Sequence, residues 1–311
     1  MSALDKQAVL LVAHGSVTDL EQLPAFLERI RRGRPPSQGL VRELRERYQR
    51  IGGSPLLAIT REQARALGHR LGMRAYMGMR FSEPFVETAL RQAIDDGVER
   101  LVVLPVAPYS VAVYTAVVRE VAASLAAREL RCPGLVEVEP WGQHPLLVRA
   151  HVDWIRQHAG ELVDTAPLVL SAHSLPTAVI RSGDRYDEEV RASAQAVAQL
   201  LGRPALVAYQ SQGADGGDWI GPSLTATLEA LAESGECGVV LAPLGFLADH
   251  VETLFDLDVE ARAYAESLGL SLLRVPALNA AAGLIEAAAA VVETALLKDG
   301  PGETDHTRRR A

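Results

Sequence analysis

Residues 168–176 read LVLSAHSLP, in which an uncharged run is followed by Ala-His and then by a small polar residue. Residues 9–16, VLLVAHGS, repeat this order near the start of the chain. Uncharged runs of this length are typical of strands that are buried on both faces of a parallel sheet. A second pair also matches: in LVVLPVAPYS (101–110) and VVLAPLGFLADH (239–250), a strand-like run is followed by proline and a loop. The repeated order predicts two similar halves.

Short apolar runs alternate along the chain with longer segments of helical periodicity. This alternation favours an α/β protein with mostly parallel sheets. The predicted strands are 8–13, 75–79, 101–106, 168–171, 205–209, 238–242 and 271–274. The predicted helices lie near 40–50, 84–97, 115–129, 145–158, 186–201, 223–234, 249–268 and 280–297.

The similarity of the halves predicts a first domain at 1–145 and a second at 160–275. The Ala-rich segment 276–297 is interrupted by Glu286, which indicates a helix that packs back on the first domain. The polar residues 298–311 are expected to be disordered. Ligands of open parallel sheets bind beyond the carboxyl ends of the strands, so functional loops should face a cleft between the two domains.

Composition excludes several classes of protein. The 311 residues are 48% hydrophobic and 23% charged, with a net charge of −8 that argues against a nucleic-acid partner. The only two cysteines, Cys132 and Cys237, lack metal-type spacing, so we expect no iron–sulfur cluster and a reducing cytoplasm. No apolar run is long enough for a membrane anchor, and no signal peptide or phosphate-binding glycine motif is present.

Two histidines stand where predicted strands end. His173 directly follows LVLSA, a position suited to catalysis, although a buried histidine bonded to a loop carbonyl would fit as well. His14 occupies the matching place in the first half, where it could be a ligand or could cap the turn with Gly15. Together, two such side chains could contact one ligand from both sides.

Three carboxylates follow the strand-like run that ends near PLGF. Glu252, Asp256 and Glu260 are four residues apart, so an α-helix would place them on one stripe. Like charges at this spacing repel each other. They form either a solvated face or a path for a divalent cation. His250 is two residues from Glu252 and is expected to point to another face and pack in the core.

The run RIRRGR contains Arg31, Arg32 and Arg34 within an otherwise acidic protein. Guanidinium groups match carboxylates in a two-pronged geometry, so the run could bind an anionic small molecule. Tyr48 and Ser54, in RYQRIGGSP, could add neutral donors. An exposed, arginine-rich helix end is the alternative.

These motifs together resemble the ferrochelatase family, over residues 9–292. Each motif is weak by itself, whereas their order and spacing are highly specific. The segments that carry the resemblance are RIRRGRPP, RYQRIGGSPLLAIT, AYMGMRFSEPF, LSAHSLP, YQSQGADGGDWIGPS and LGFLADHVETLFDLDVE. The RRGR run and LSAHSLP are most similar to the ferrochelatases of Gram-positive bacteria, which insert Fe²⁺ into coproporphyrin III.

The resemblance implies a chelatase fold, in which two flavodoxin-like (Rossmann-like) domains with parallel sheets enclose a porphyrin cleft. It implies that His173 and Glu252 face each other across this cleft. It also implies that Glu252, Asp256 and Glu260 lie on a helix with a π-type distortion. Fe²⁺ and porphyrin would be substrates of a cytoplasmic, monomeric enzyme that needs no [2Fe-2S] cluster. Transient contact with neighbouring haem-pathway enzymes is a further expectation.

From this resemblance follows a hypothesis about roles. His173 accepts pyrrole protons, and Glu252 stabilises the resulting imidazolium or ligates the metal transiently. Asp256 and Glu260 conduct Fe²⁺ inward or protons outward. His14 approaches the opposite ring face as a metal ligand. The predicted substrate-binding residues are His14, Arg31, Arg32, Arg34, Tyr48, Ser54, Tyr114 and Trp219, of which Tyr114 and Trp219 could equally be core residues.

At His14 the sequence departs from the pattern of the resemblance, because ferrochelatases commonly have tyrosine there. A histidine is similar instead to the small cobalt- and nickel-chelatases, whose first strand ends in a similar HGS. Three alternatives to a coproporphyrin III ferrochelatase therefore remain. They are a protoporphyrin IX ferrochelatase, a cobalt or nickel tetrapyrrole chelatase, and a haem or porphyrin carrier that is not an enzyme.

Overall fold

The computed structural model of the chain describes residues 6–213 and 217–300. Its strands in these ranges are β1 (Gln7–Ala13), β2 (Arg74–Met79), β3 (Arg100–Pro105), β4 (Gly134–Glu137), β5 (Leu168–His173), β6 (Leu206–Gln210), β7 (Gly238–Pro243) and β8 (Ser271–Arg274). They form two four-stranded sheets, in the orders β2-β1-β3-β4 and β6-β5-β7-β8. Every paired strand is parallel. The two sheets therefore share one topology, and the predicted α/β class is confirmed.

Helices connect the strands and cover the sheets. They are α1 (Leu23–Ile30), α2 (Gln38–Arg50), α3 (Leu56–Leu71), α4 (Val86–Asp95), α5 (Val111–Ala126), α6 (Pro145–Ala159), α7 (Leu162–Thr165), α8 (Thr177–Arg181), α9 (Tyr186–Leu201), α10 (Leu224–Glu233), α11 (Val251–Leu254), α12 (Arg262–Ser267) and α13 (Ala282–Asp299). Between α11 and α12 lies a π-helical segment, Asp256–Ala261, which we call the π segment. Across residues 6–213 and 217–300, no helix is both long and apolar enough to cross a membrane.

All seven predicted strands are present, whereas β4 was missed. Its four residues, GLVE, are too few to show an alternating or continuous apolar pattern, and only Val136 is buried. The amphipathic helices α1 and α3 were also missed. The single helix predicted near 249–268 is interrupted by the π segment, as the resemblance implied.

Two helices link the halves of the molecule. α13 packs its small side chains, such as Ala287 and Ala289, into the same core as Val9 and Leu11 of β1. α6 has two buried faces: Leu147 packs into this first core and Val152 packs into the core beneath the second sheet. The predicted domain boundaries leave α6 between them, and most of the predicted tail, 301–311, lies outside the described residues.

The topology sets the position of the functional loops. In each sheet the chain passes from the first strand to the neighbour on one side and then crosses to the other side. The strand order therefore reverses between β1 and β3 and between β5 and β7. Loops at such a switch point separate and leave a crevice at the carboxyl ends of the strands. His14 directly follows β1, and His173 is the last residue of β5. Both predicted histidines therefore stand at switch points.

Candidate active site

Glu252 lies between two imidazole rings. Its Oε2 atom is 3.7 Å from Nε2 of His173 and 3.5 Å from Nε2 of His250. These elements all come from the second half, because Glu252 belongs to α11 and His173 ends β5. The expectation that His173 and Glu252 face each other across the cleft is therefore wrong. They are neighbours on one wall, since the adjacent strands β5 and β7 deliver them to the same sheet edge.

The first half of the molecule contributes His14. The residue keeps some solvent exposure, but its ring packs edge-on against Phe81 and Phe26, with ring centroids 4.8 and 6.3 Å apart. The surrounding protein withdraws water from the imidazole and lowers the pKa of His14 to about 4, although the charge of Glu252 acts in the other direction. His14 is therefore neutral at physiological pH, which is the form that binds a metal or accepts a proton.

The charge state of Glu252 follows from its neighbours. Burial is the largest single influence and would raise the pKa of Glu252, but His173, His250 and His14 together outweigh it. The net effect lowers the pKa of Glu252 to about 2. Glu252 is therefore an anion beside the imidazoles of His173 and His250, and it stabilises either of them that gains a proton.

The loop after β5 fixes the orientation of His173. The Nδ1 atom of His173 is hydrogen-bonded to the carbonyl oxygen of Ser174, and the His173 carbonyl accepts from the hydroxyl of Tyr186 at 3.0 Å. A carbonyl can only accept, so Nδ1 carries the proton of the neutral ring. Nε2 is then left with its lone pair beside Glu252. This is the tautomer that a proton acceptor requires.

The carboxylates beyond Glu252 lie in the π segment. The backbone N–H of Glu260 donates to the carbonyl of Phe255 at 3.0 Å, a five-residue step that adds one residue to the helical turn. Asp256 exposes 11% of its side chain and Glu260 exposes 51%. Burial raises the pKa of Asp256 to about 6, opposed by the Ser211 hydroxyl and Arg47 and assisted by Glu252. Asp256 is thus the more buried and Glu260 the more exposed of these two carboxylates, while Glu252 exposes 35% of its side chain.

Glu252, Asp256 and Glu260 form what we call the column. Arg47 of α2, in the first half of the molecule, contacts the two outer members of this column. Its guanidinium lies 3.1 Å from Oδ1 of Asp256 and 3.6 Å from Oε1 of Glu260. It also stacks on the ring of Phe255, 4.9 Å from the centroid. The repulsion expected within the column is therefore offset by a cation that the sequence places some two hundred residues away, where no local pattern reveals it.

The predicted arginine cluster lies just after α1. Arg31 is partly buried and Arg32 and Arg34 are exposed. Among the described residues, none of these three guanidinium groups forms an ion pair with a carboxylate. A group of cations with no carboxylate partner in this part of the chain is suited to an anionic ligand.

The neutral donors predicted beside these arginines already have partners. Tyr48 is buried, and its hydroxyl is 2.8 Å from Oγ of Ser16. Oγ of Ser54 accepts from the backbone N–H of Leu56 at 3.4 Å. Contact of either hydroxyl with a substrate carboxylate requires an exchange of partner, and this part of the predicted site stays a prediction.

Tyr114 and Trp219 come from different halves of the molecule. The guanidinium of Arg80 lies over the ring of Tyr114, 5.8 Å from its centroid, and burial raises the pKa of Tyr114 to about 12. Trp219 is partly buried and pairs with Pro176 of the loop that follows His173. Both side chains are partly exposed, so they are available as wall residues.

Three residues of the site were not predicted from the sequence. Arg47 and Arg80 have no local signal, because each acquires its partners only in the folded chain. His250 was expected to pack in the core, and this expectation is wrong. The segment before α11 is extended at His250, so the two-residue spacing to Glu252 does not follow helical geometry there.

The paired parallel sheets, with imidazoles at their switch points, define a protein of the chelatase fold. The structure of SirB from Bacillus subtilis with Fe³⁺ superposes with a TM-score of 0.61 at 14% identity, covering 93% of this chain and 95% of that one. The sirohydrochlorin chelatase SirB from B. subtilis subspecies spizizenii, in complex with cobalt, gives a TM-score of 0.55 at 17% identity, covering 96% and 98%. At these identities the likeness concerns the fold alone.

A family model described as Ferrochelatase matches residues 6–296. The ferrochelatase of Acidobacterium capsulatum is 33% identical over 94% of this chain and 95% of its own length. The coproporphyrin III ferrochelatase of Anoxybacillus flavithermus is 36% identical over 94% and 97%, and that of B. subtilis is 32% identical over 92% and 97%. The chain therefore belongs to the ferrochelatase family, and it is a metal-chelating lyase whose substrates are a porphyrin and iron.

Proposed function

We propose that this enzyme inserts Fe²⁺ into coproporphyrin III to give iron coproporphyrin, or coproheme, in haem biosynthesis. The contact between His173 and Glu252 at the switch point of the second sheet carries the proposal. The choice of porphyrin is supported by relatives at 32–36% identity that are named coproporphyrin III ferrochelatases. It is also supported by the three arginines after α1, which form no ion pair within residues 6–213 and 217–300, because the four propionates of coproporphyrin III offer more anions than the two of protoporphyrin IX.

Insertion replaces two pyrrole N–H protons with one divalent cation, so two protons must leave the ring. In our proposal Nε2 of His173 accepts them in turn, and the anionic Glu252 stabilises the imidazolium. Each proton is then passed on before the next is accepted. Asp256 and Glu260 either carry Fe²⁺ to Glu252 or carry the protons out. Their graded exposure supports a path in either direction.

On the other wall, we propose that His14 approaches the opposite ring face as an iron ligand. Its low pKa keeps the imidazole neutral and able to ligate. Arg31, Arg32 and Arg34 would hold propionates, with Tyr48 and Ser54 as further donors. Tyr114 and Trp219 would contact the ring, and strain imposed by the walls would expose the pyrrole lone pairs.

The wider setting is also a proposal. We propose a monomer of two domains, 1–145 and 160–275, that works in the cytoplasm and meets neighbouring haem-pathway enzymes only transiently. The two cysteines, Cys132 and Cys237, are both free thiols, which fits a reducing compartment. Two cysteines in the whole sequence are also too few for an all-cysteine [2Fe-2S] site, so the enzyme should need no cluster.

One competing function has a specific observation in its favour. A histidine ends β1, and the SirB structures that share this fold are described with Fe³⁺ and with cobalt. Cobalt insertion is therefore the second candidate. Anaerobic mixing of purified protein with Fe²⁺, Co²⁺ or Zn²⁺ and either coproporphyrin III or protoporphyrin IX tests all candidates, with the Soret shift as the measurement.

Our proposal predicts the highest kcat/KM for Fe²⁺ with coproporphyrin III. A higher value with protoporphyrin IX would overturn the choice of porphyrin, and a higher value with Co²⁺ would overturn the choice of metal. Stable binding of iron coproporphyrin without turnover of any pair would indicate a carrier instead. The His173→Ala variant serves as the background control for metal insertion that occurs without the protein.

A further inference from the structure

The buried guanidinium of Arg274 forms hydrogen bonds to Asp258 of the π segment. Arg274, the last residue of β8, exposes only 9% of its side chain. Its Nε and Nη2 atoms each donate to one oxygen of Asp258, both at 2.7 Å, and its Nη1 donates to Oδ1 of Asp249 at 2.7 Å. All three contacts are at the short end of the range for charge-assisted hydrogen bonds, and the pair with Asp258 has the two-pronged geometry that fixes orientation as well as distance.

The two carboxylates that Arg274 joins flank the reactive ones. Asp258 lies within the π segment, midway between Asp256 and Glu260. Asp249 precedes His250 and stands three residues before Glu252. One guanidinium therefore ties down both the segment that carries the outer carboxylates and the loop that introduces the inner one.

Asp249 is itself fully engaged. Its Oδ1 accepts from the hydroxyl of Thr253 at 3.0 Å, and its Oδ2 accepts from Nδ2 of Asn279 at 2.9 Å. The backbone carbonyl of Asn279 accepts from Gln63 of α3 at 2.7 Å. The network around Arg274 is therefore anchored to the first half of the molecule.

A π-helical turn needs side-chain contacts that stabilise its backbone. Five-residue steps are rare, and they persist where surrounding contacts over-determine the backbone. On the outer side, Arg47 contacts Asp256 and Glu260. On the inner side, the Arg274 fork holds Asp258. Of these two guanidinium groups, Arg274 is the more deeply buried, with 9% of its side chain exposed against 26% for Arg47.

We infer that Arg274, through Asp258, is a positioning residue that keeps Asp256 and Glu260 in line with Glu252. The inference rests on the proposed function, in which these three carboxylates serve one path. Arg274 and Asp258 act only through the register of the π segment. Their effect should therefore fall on transfer along these carboxylates, whether of Fe²⁺ or of protons, and the binding of the porphyrin should not change.

The Asp258→Asn variant carries the test. The amide oxygen can still accept from Arg274, and the charge of Arg274 stays balanced by Asp249, so the variant avoids an unpaired buried charge. We expect kcat/KM for Fe²⁺ to fall about tenfold, as loss of one charge-assisted hydrogen bond allows, while KM for porphyrin stays within about twofold. The kcat/KM of Arg274→Lys for Fe²⁺ should lie between the values of this variant and the wild type, since an ammonium group keeps the charge but lacks the planar fork.

A mutant cycle separates positioning from general stability. If Asp258 acts through Asp256 and Glu260, adding Asp258→Asn to a variant that already carries Asp256→Asn and Glu260→Gln should cause no further loss of rate. Multiplicative losses would overturn the inference, as would an equal rise in KM for both substrates. Glu286→Gln is the control, because it changes another carboxylate that accepts from an arginine: Nε of Arg70 donates to both oxygens of Glu286, which belongs to α13 and not to the π segment. It should leave both KM values unchanged.

Backbone hydrogen exchange gives a readout that needs no turnover. Asp258→Asn should speed exchange of the amides of residues 256–261, whereas Glu286→Gln should not. If the wild type inserts no metal but this exchange is faster, the proposed function fails and the contact with Arg274 is upheld. If the wild type is active and Asp258→Asn changes neither exchange nor KM for Fe²⁺, the positioning role fails alone.

Discussion

Nε2 of His173 lies 3.7 Å from Oε2 of Glu252, although the two residues come from different strand-loop units of the second half. The proton of the neutral His173 ring is held on the far nitrogen by the carbonyl of Ser174. The lone pair of Nε2 therefore faces a carboxylate that is ionised at any physiological pH. This arrangement favours proton acceptance by His173, because the imidazolium forms beside a fixed negative charge.

Replacing His173 with Ala should reduce metal insertion at least about a hundredfold, the usual worth of a positioned general base. Porphyrin binding should persist, because the arginine cluster and the cleft walls remain. Initial rates from the Soret shift and porphyrin fluorescence quenching measure the two effects separately. His69→Ala, on α3, is the control and should behave as wild type. Retained turnover by His173→Ala would exclude the role as proton acceptor.

Glu252→Gln should lower the rate of insertion more than Asp256→Asn does. Glu252 contacts two imidazoles directly, whereas Asp256 is one step further along the column and shares its charge with Arg47. Steady-state kinetics at saturating porphyrin and varied Fe²⁺ measure both variants. The opposite order would argue against a path that ends at Glu252.

Asp256→Asn should also change the pH dependence of stability. Burial raises the pKa of Asp256 to about 6 from 3.8, so the folded protein holds this proton more tightly than the unfolded chain does. The stability gained from that proton is present below about pH 4 and is lost as pH rises to about 6.

In Asp256→Asn this loss is absent. Its free energy of unfolding, relative to wild type, should therefore rise by roughly 2 kcal/mol between pH 4 and pH 7. Urea denaturation at several pH values measures the difference. A constant difference over this range would show that Asp256 does not titrate there.

His14→Phe should weaken the hold on iron porphyrin while leaving the binding of metal-free porphyrin nearly unchanged. Phenylalanine keeps the edge-on contact with Phe81 but cannot ligate a metal. Because the pKa of His14 is lowered to about 4, ligation by the wild type should persist down to about pH 4 and weaken below it. The Soret spectrum of the product complex reports ligation. An identical spectrum in the variant would exclude His14 as the ligand.

Removing the three guanidinium groups with Arg31→Ala, Arg32→Ala and Arg34→Ala should weaken coproporphyrin III binding by tenfold or more, since charge-assisted hydrogen bonds contribute about 1.5–3 kcal/mol each. Protoporphyrin IX, with two fewer propionates, should lose less. The wild-type affinity should fall with added salt more steeply than that of the triple variant. Arg42→Ala, on the exposed face of α2, is the control. Equal losses for both porphyrins would argue against propionate binding by this cluster.

The sequence pattern was enough to predict an element where the residues of that element carry the signal themselves. The uncharged runs at 9–13 and 168–172 predicted β1 and β5, because strands buried on both faces need apolar side chains at every position. The same runs placed His14 and His173 at strand ends. Strand β4 had no such signal, since it is short and buries one residue.

Contacts between distant parts of the chain could not be predicted in this way. Arg47 reaches Asp256 from the other half of the molecule, and Arg274 reaches Asp249 and Asp258 from β8. His250 turned toward Glu252 because its backbone is extended just before α11, a detail that helical spacing does not capture.

The sequence by itself therefore determined the α/β class, the repeated halves and the residues at the strand ends, because periodicity and strand order depend on neighbours along the chain. Only the tertiary structure decided that His173 and Glu252 are neighbours, that two imidazoles contact one carboxylate, and that two arginines contact the π segment. The physical reason is that charge and desolvation act through space: each pKa and each ion pair depends on groups that only folding brings within a few ångströms.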